Sequence, residues 1–152
     1  MTGYFTLICP DELADRIDHF LVSDCRHDLF KHGKGAADYA LAHLPGAFFL
    51  SMDDDLSGPK GDGSAGRHPL PDPAVLRSRL AALGLTDSRQ LVVYDADNGT
   101  FAARLWWMSR WLGHEAVALL RLPRTKGIPR STASSGTTHA ATPTSETNAR
   151  AT

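Results

Sequence analysis

A six-residue loop of turn-forming residues, Asp95-Ala96-Asp97-Asn98-Gly99-Thr100, joins a short apolar run, Leu91–Tyr94, to an amphipathic segment starting at Phe101. An apolar run of that length reads as a strand buried on both faces. A loop entering a helix faces backbone N–H groups that the first helical turn leaves unpaired, and the helix dipole adds positive potential. Its chemistry would be to hold an anion or an activated nucleophile. The loop contains no cysteine; its first residue is an aspartate.

The two cysteines lie elsewhere. Cys25-Arg26 looks like the start of a nucleophile loop, but the next residues, His27-Asp28-Leu29-Phe30, lack a glycine-bearing cradle. Cys25 therefore reads as a small residue buried at a strand end. Cys9, before Pro10, is a weaker candidate still. Two cysteines far apart give no disulfide framework, and the histidines do not pair with them at zinc-ligand spacing, so no metal site is expected. Gly61-Asp62-Gly63-Ser64-Ala65-Gly66 has the glycines of a phosphate loop but neither a preceding strand, a following helix nor a terminal Lys-Ser or Lys-Thr.

Positioning the Asp95 loop requires a sheet. Strands are expected at Thr6–Cys9, Phe20–Cys25, Ala47–Leu50, Leu91–Tyr94 and Ala116–Leu120. A helix opens at Pro10, where proline and two acids suit a first turn, with Leu13, Ile17 and Phe20 or Leu21 inward. A short helix is expected over Ala37–His43. Another spans Pro73–Leu83, with Val75, Leu76, Leu80 and Leu83 inward. In the helix after the loop, Phe101, Leu105, Met108 and Leu112 recur at helical spacing, and Gly113 marks its stop. Strands alternating with helices argue for an α/β fold with a mostly parallel sheet. Ser51–Pro73 is a long polar loop, a length that usually signals function or an interface.

Three motifs, in order, resemble the rhodanese family. They are His43-Leu44-Pro45-Gly46-Ala47-Phe48-Phe49, Gly66-Arg67-His68-Pro69-Leu70-Pro71, and Tyr94-Asp95 with the loop and Phe101–Met108, followed by Trp111-Leu112-Gly113-His114. The likeness is to the first, non-catalytic domain of two-domain thiosulfate and 3-mercaptopyruvate sulfurtransferases, and covers about residues 5 to 120. It implies a three-layer domain over about 1–120, a mostly parallel sheet of about five strands between helices. The family's Asp-Gly-Gly turn and last, Trp-bearing helix do not follow the fifth strand. Residues 121–152, rich in Thr, Ser, Ala and Pro, read as a disordered tail. The abrupt end of the likeness near Leu120 favours a lost reading frame over a natural flexible tail.

The resemblance also implies chemistry. Rhodaneses move sulfane sulfur: a loop cysteine takes it from a donor, becomes a persulfide, and passes it to an acceptor such as cyanide or a thiol. The position matching that cysteine is Asp95, which cannot carry a persulfide and would repel an anionic donor. In such first domains the catalytic cysteine belongs to a second rhodanese domain, the expected partner. Asp53 and His68 resemble a pair that assists proton transfer across the domain interface, with Asp54 and Asp55 leaving the aspartate's register open. Arg67 is a candidate contact for the small anionic sulfur donor. Arg104 is expected to form a surface or interdomain ion pair. Trp106, Trp107 and Trp111 should divide between a sheet-facing side and one meeting the second domain. No organic cofactor is implied.

The expected function is therefore sulfur transfer, with this domain inactive by itself. The alternatives are a stand-alone inactive module that binds a protein, or a non-functional remnant. A net charge of −1 favours neither nucleic acid nor an acidic-tail role. No apolar run approaches membrane-spanning length, and the N-terminus lacks a signal peptide's basic region, so a cytoplasmic protein without membrane partners is expected.

Overall fold

The computed structural model describes residues 3–96 and 98–122. The strands are β1 (Leu7–Ile8), β2 (Leu21–Asp24), β3 (Phe48–Phe49), β4 (Leu91–Tyr94) and β5 (Val117–Leu120). The helices are α1 (Pro10–Ala14), α2 (Lys34–Leu41), α3 (Pro73–Ala82) and α4 (Thr100–Trp111), with a 3₁₀ turn at Ile17–His19. The strands form one sheet in the order β1-β5-β4-β2-β3, every pairing parallel. This is the α/β architecture expected.

Alternation along β4 divides the core. Leu91 and Val93 pack on one face with Leu76 and Leu80 of α3 and Leu105 and Met108 of α4. Val92 and Tyr94 pack on the other with Leu13 of α1, Leu44 and Ala47. All four β4 residues are essentially inaccessible, which is why the strand reads as an unbroken apolar run.

Several boundaries differ from expectation. Helix α1 stops at Ala14, and Ile17 sits in the 3₁₀ turn, half-buried. Helix α2 starts at Lys34 rather than Ala37. Gly35 sets that start: a Cβ there would lie 1.9 Å from the Arg26 carbonyl oxygen, so only glycine lets the helix begin against the end of β2. Val75 faces out, 62% exposed. Leu76, Leu80 and Leu83 share one helical stripe, and Val75 is a hundred degrees off it. The Asp72 carboxylate caps α3, accepting from Ala74 N at 2.8 Å and Val75 N at 3.2 Å. The expected tail lies outside the described residues beyond Leu122. Among the described residues no helix is long and apolar enough to cross a membrane.

Candidate functional site

Because β2, β4 and β3 run parallel side by side, their carboxyl ends open onto one edge, where ligands of such sheets gather. A buried network fixes that edge. Asp24 is fully buried and takes a two-pronged contact from Arg26, with Nη2 at 2.6 Å and Nε at 2.9 Å from Oδ2. The Tyr94 hydroxyl donates to the same oxygen at 2.8 Å. Burial holds the Tyr94 phenol above its ordinary range, so it remains a donor. Arg26 Nη2 also donates to the Ala42 carbonyl at 2.6 Å. The segments leaving β2 and β4 are thereby clamped together.

The Asp95 loop has the form expected of an anion cradle, and its anion is its own side chain. Asp95 is 3% exposed. Its Oδ1 accepts from Gly99 N at 3.0 Å; Oδ2 accepts from Phe101 N at 2.9 Å and Ala102 N at 3.0 Å. Gly99 turns the chain into α4 with φ +85°, and a Cβ there would come within 3.2 Å of Leu119 Cδ2. The carboxylate thus lies against the free N–H groups at the start of α4.

Neither cysteine shares this environment. The Cys25 thiol is 1% exposed, 3.6 Å from Ser23 Oγ. Burial first, then the charges of Asp24 and Asp95, push it up to about 12 against the pull of Ser23. It stays a neutral thiol, as expected of a strand-end packing residue. Cys9 is exposed ahead of α1, its backbone N–H donating to Glu12.

Beside the cradle, the Ser51–Pro73 loop folds back on itself. Gly58 N donates to the Pro69 carbonyl at 2.9 Å. Arg104 holds the fold closed: Nε donates to the Leu56 carbonyl at 2.9 Å, and Nη2 to those of His68 at 2.9 Å and Pro69 at 3.2 Å. Where an ion pair was expected, Arg104 therefore clamps loop carbonyls. It lies one turn into α4, opposite both ends of the folded loop, and no carboxylate is among those contacts.

This clamp brings the expected pair together. His68 Nε2 donates to Asp53 Oδ1 at 3.1 Å, and each side chain is only about 15% exposed. Of the three neighbouring aspartates, Asp53 is the one that meets His68; Asp54 takes the Ser51 hydroxyl, and Asp55 takes Ser51 N and Arg79. Burial acts to raise the Asp53 carboxyl, but the His68 hydrogen bond and the nearby His27, Lys60 and His68 charges outweigh it and hold it below its ordinary value. With Asp53 ionised, His68 carries its proton on Nε2, and the neutral ring's basic lone pair is on Nδ1. Arg67 is exposed and donates to the Leu29 carbonyl at 2.5 Å, so it ties two loops together at the rim.

A third residue joins the pair. His27 follows the carboxyl end of β2, and its ring lies edge-on to His68 and to Phe101, with centroids at 5.5 and 5.1 Å. Burial, helped by His68 and Arg67 and opposed by Asp53 and Asp28, keeps its imidazole below the ordinary histidine value. Nothing around His27 in sequence marks it. The available signal was topological, since the first residues after parallel neighbouring strands converge.

Residues 10–122 match the family of rhodanese-like domains. The chain belongs to that family. This rhodanese-like domain is 47% identical over 117 residues to the "Probable 3-mercaptopyruvate sulfurtransferase" of Pseudomonas aeruginosa, an alignment covering 75% of this chain and 41% of that protein. It is 36% identical over 87 residues to the thiosulfate sulfurtransferase of Cricetulus griseus, covering 55% and 27%. The 3-mercaptopyruvate sulfurtransferase structure from Leishmania major superposes with a TM-score of 0.70 at 31% identity, covering 75% of this chain and 32% of that one. The rhodanese-like domain therefore spans about two-fifths or less of the length of these relatives.

Helix α4 carries its three tryptophans on two faces. Trp106 Nε1 donates to the Phe5 carbonyl at 3.0 Å and the Val117 carbonyl at 3.1 Å, packing toward the β1–β5 edge. Trp107 and Trp111 are 47% and 42% exposed and stack with ring centroids 5.7 Å apart.

Proposed function

We propose that this domain is the non-catalytic half of a two-domain sulfurtransferase that moves sulfane sulfur from 3-mercaptopyruvate or thiosulfate to a thiophilic acceptor such as cyanide or a thiol. The observation that carries this reading is the Asp95 carboxylate, held by the N–H groups of Gly99, Phe101 and Ala102 where the family's persulfide would sit. A cysteine-bearing second domain would supply the sulfur carrier. This chain would contribute the Asp53–His68 pair to the shared cleft, with His68 Nδ1 accepting or returning a proton and Asp53 fixing the ring. Arg67, positively charged at the rim, would draw in the anionic donor.

The test uses thiocyanate production from either donor with cyanide. The chain alone is expected to give no turnover; a rate abolished by Cys25→Ser would overturn the proposal. Joined to the cysteine-bearing remainder of the Pseudomonas aeruginosa relative, it should support turnover. There, Asp53→Asn or His68→Gln should lower kcat with 3-mercaptopyruvate by about 10²–10⁴-fold.

The exposed Trp107–Trp111 stack supports a second reading, a stand-alone module that docks a protein. The same fusion separates the two. If replacing both tryptophans with alanine weakens domain association, the stack belongs to the sulfurtransferase interface. If association and turnover are unchanged, the stack faces a different partner.

A further inference from the structure

The strongest unabsorbed feature is the meeting of His27, Asp53 and His68. Each offers one donor atom, and the three donors lie within 4.8 Å of one another. They come from three separate stretches of chain, brought together by the ends of β2 and β3 and by the Arg104 clamp. Asp53 and His68 already share a short contact at 3.1 Å. The third partner is the incomplete one: His27 Nε2 is buried and has no hydrogen-bond partner among the described residues. A buried imidazole nitrogen left without a partner carries a free-energy cost that a ligand would relieve.

We propose that His27, Asp53 and His68 form a binding site for a divalent ion of the zinc class. Two imidazole nitrogens and one carboxylate oxygen are donors of that borderline type, and they leave positions open on the ion for water or a further ligand. Zinc holds such donors at about 2.0–2.2 Å, so side-chain rotation would draw them together from a spacing of at most 4.8 Å.

The surrounding charges are compatible with an ion. Lys60 Nζ lies 3.5 Å from Asp53 Oδ1, but this side chain is 59% exposed and can swing into water. Arg67 is tied to the Leu29 carbonyl. Asp28, near the same histidine, adds negative charge. His32 Nε2 lies 3.7 Å from Asp53 Oδ2, is 83% exposed, and is within reach as a fourth donor. The site does not depend on the sulfur-transfer reading. Where that reading holds, an ion here occupies the relay pair and shuts off proton transfer.

The test is titration of the full chain with Co²⁺, followed by Zn²⁺ competition, in a Cys9→Ser background that removes the exposed thiol. The expected result is saturable uptake of one ion per chain, with visible Co²⁺ bands characteristic of nitrogen and oxygen donors, and a raised melting temperature. His27→Phe and Asp53→Asn should each weaken binding by about tenfold or more, whereas His114→Ala should leave it unchanged. Asp53→Asn, near-isosteric at a part-buried position, decides the matter if His27→Phe disturbs the fold. Absence of saturable uptake overturns the proposal, as does an affinity that the decisive variant leaves unaltered. Because the readout is metal binding, either result stands apart from the outcome of the sulfur-transfer assay.

Discussion

Two sites of opposite character share one edge of the sheet. The Asp95 cradle is closed: its backbone donors are met by a carboxylate from within the loop, and that carboxylate is buried. The His27–Asp53–His68 group is open: it is partly exposed, spans three stretches of chain and retains a buried nitrogen without a partner among the described residues. The first is a ligand site satisfied by its own sequence. The second is assembled by tertiary structure and left unfinished. The contrast shows how one fold can hold the form of an anion site in one loop while placing its available chemistry in the next.

The comparison can be broken most forcefully at Asp95. Asp95→Ala should cost about 2–3 kcal/mol, because the Gly99, Phe101 and Ala102 N–H donors lose a charged acceptor, read as a lower urea midpoint with an unchanged slope. A loss under half a kcal/mol would mean that the cradle needs no anion. Asp95→Cys, in a Cys25→Ser background, should give a thiol ionising below the ordinary value of about 8.5; an ordinary titration would deny the cradle its electrostatics. Next in size, Arg104→Met should cost about 2 kcal/mol through its lost carbonyl contacts. It should also loosen His68 while leaving the Asp95 loop intact, as amide exchange would show; equal loosening at both sites would merge what are here two units.

An effect that is smaller within any one pH unit comes from Cys25. Its folded-state pKa is raised to about 12, so its contribution to stability is fully present below the unfolded thiol value of about 8.5 and is lost as pH rises through that window. The chain should lose at most about 1.4 kcal/mol per pH unit there on this account, and Cys25→Ser should flatten that part of the curve. Smallest of all, Trp107→Ala should change the stability of the isolated chain by no more than about 0.5 kcal/mol, since half its surface is already in water. A larger loss would show the tryptophan stack to be part of the domain's own packing.

Strand β4 was legible to the residue because burial on both faces leaves an unbroken apolar run, and α4 was displaced by a single residue at each end. The edge strands were read too long, since only two residues of each pair in the ladder. The start of α2 was missed because Gly35 is dictated by the Arg26 carbonyl, nine positions earlier in the chain. Asp53 and His68 were singled out as a pair by the family resemblance alone; their 3.1 Å contact is a fact of the folded chain. The carbonyl contacts of Arg104 were not foreseen, and His27 was passed over, for the same reason. Each gains its meaning from a segment far away in sequence, the folded loop for one and the other two donors for the other.

The sheet order has a consequence for how the chain acquires its fold. Strand β1 is made first, yet its partner is β5, with Leu7 opposite Leu119 and Ile8 opposite Leu120. Strands β2 and β4 can pair as soon as Tyr94 is available, but β1 must wait for nearly the whole domain to be synthesised. Closing so long a loop is slow. During that interval the apolar edge of β4 is uncovered, then that of β5, and each can pair with another chain. The order of the strands therefore leaves apolar strand edges unpaired during synthesis until β5 is complete at Leu120.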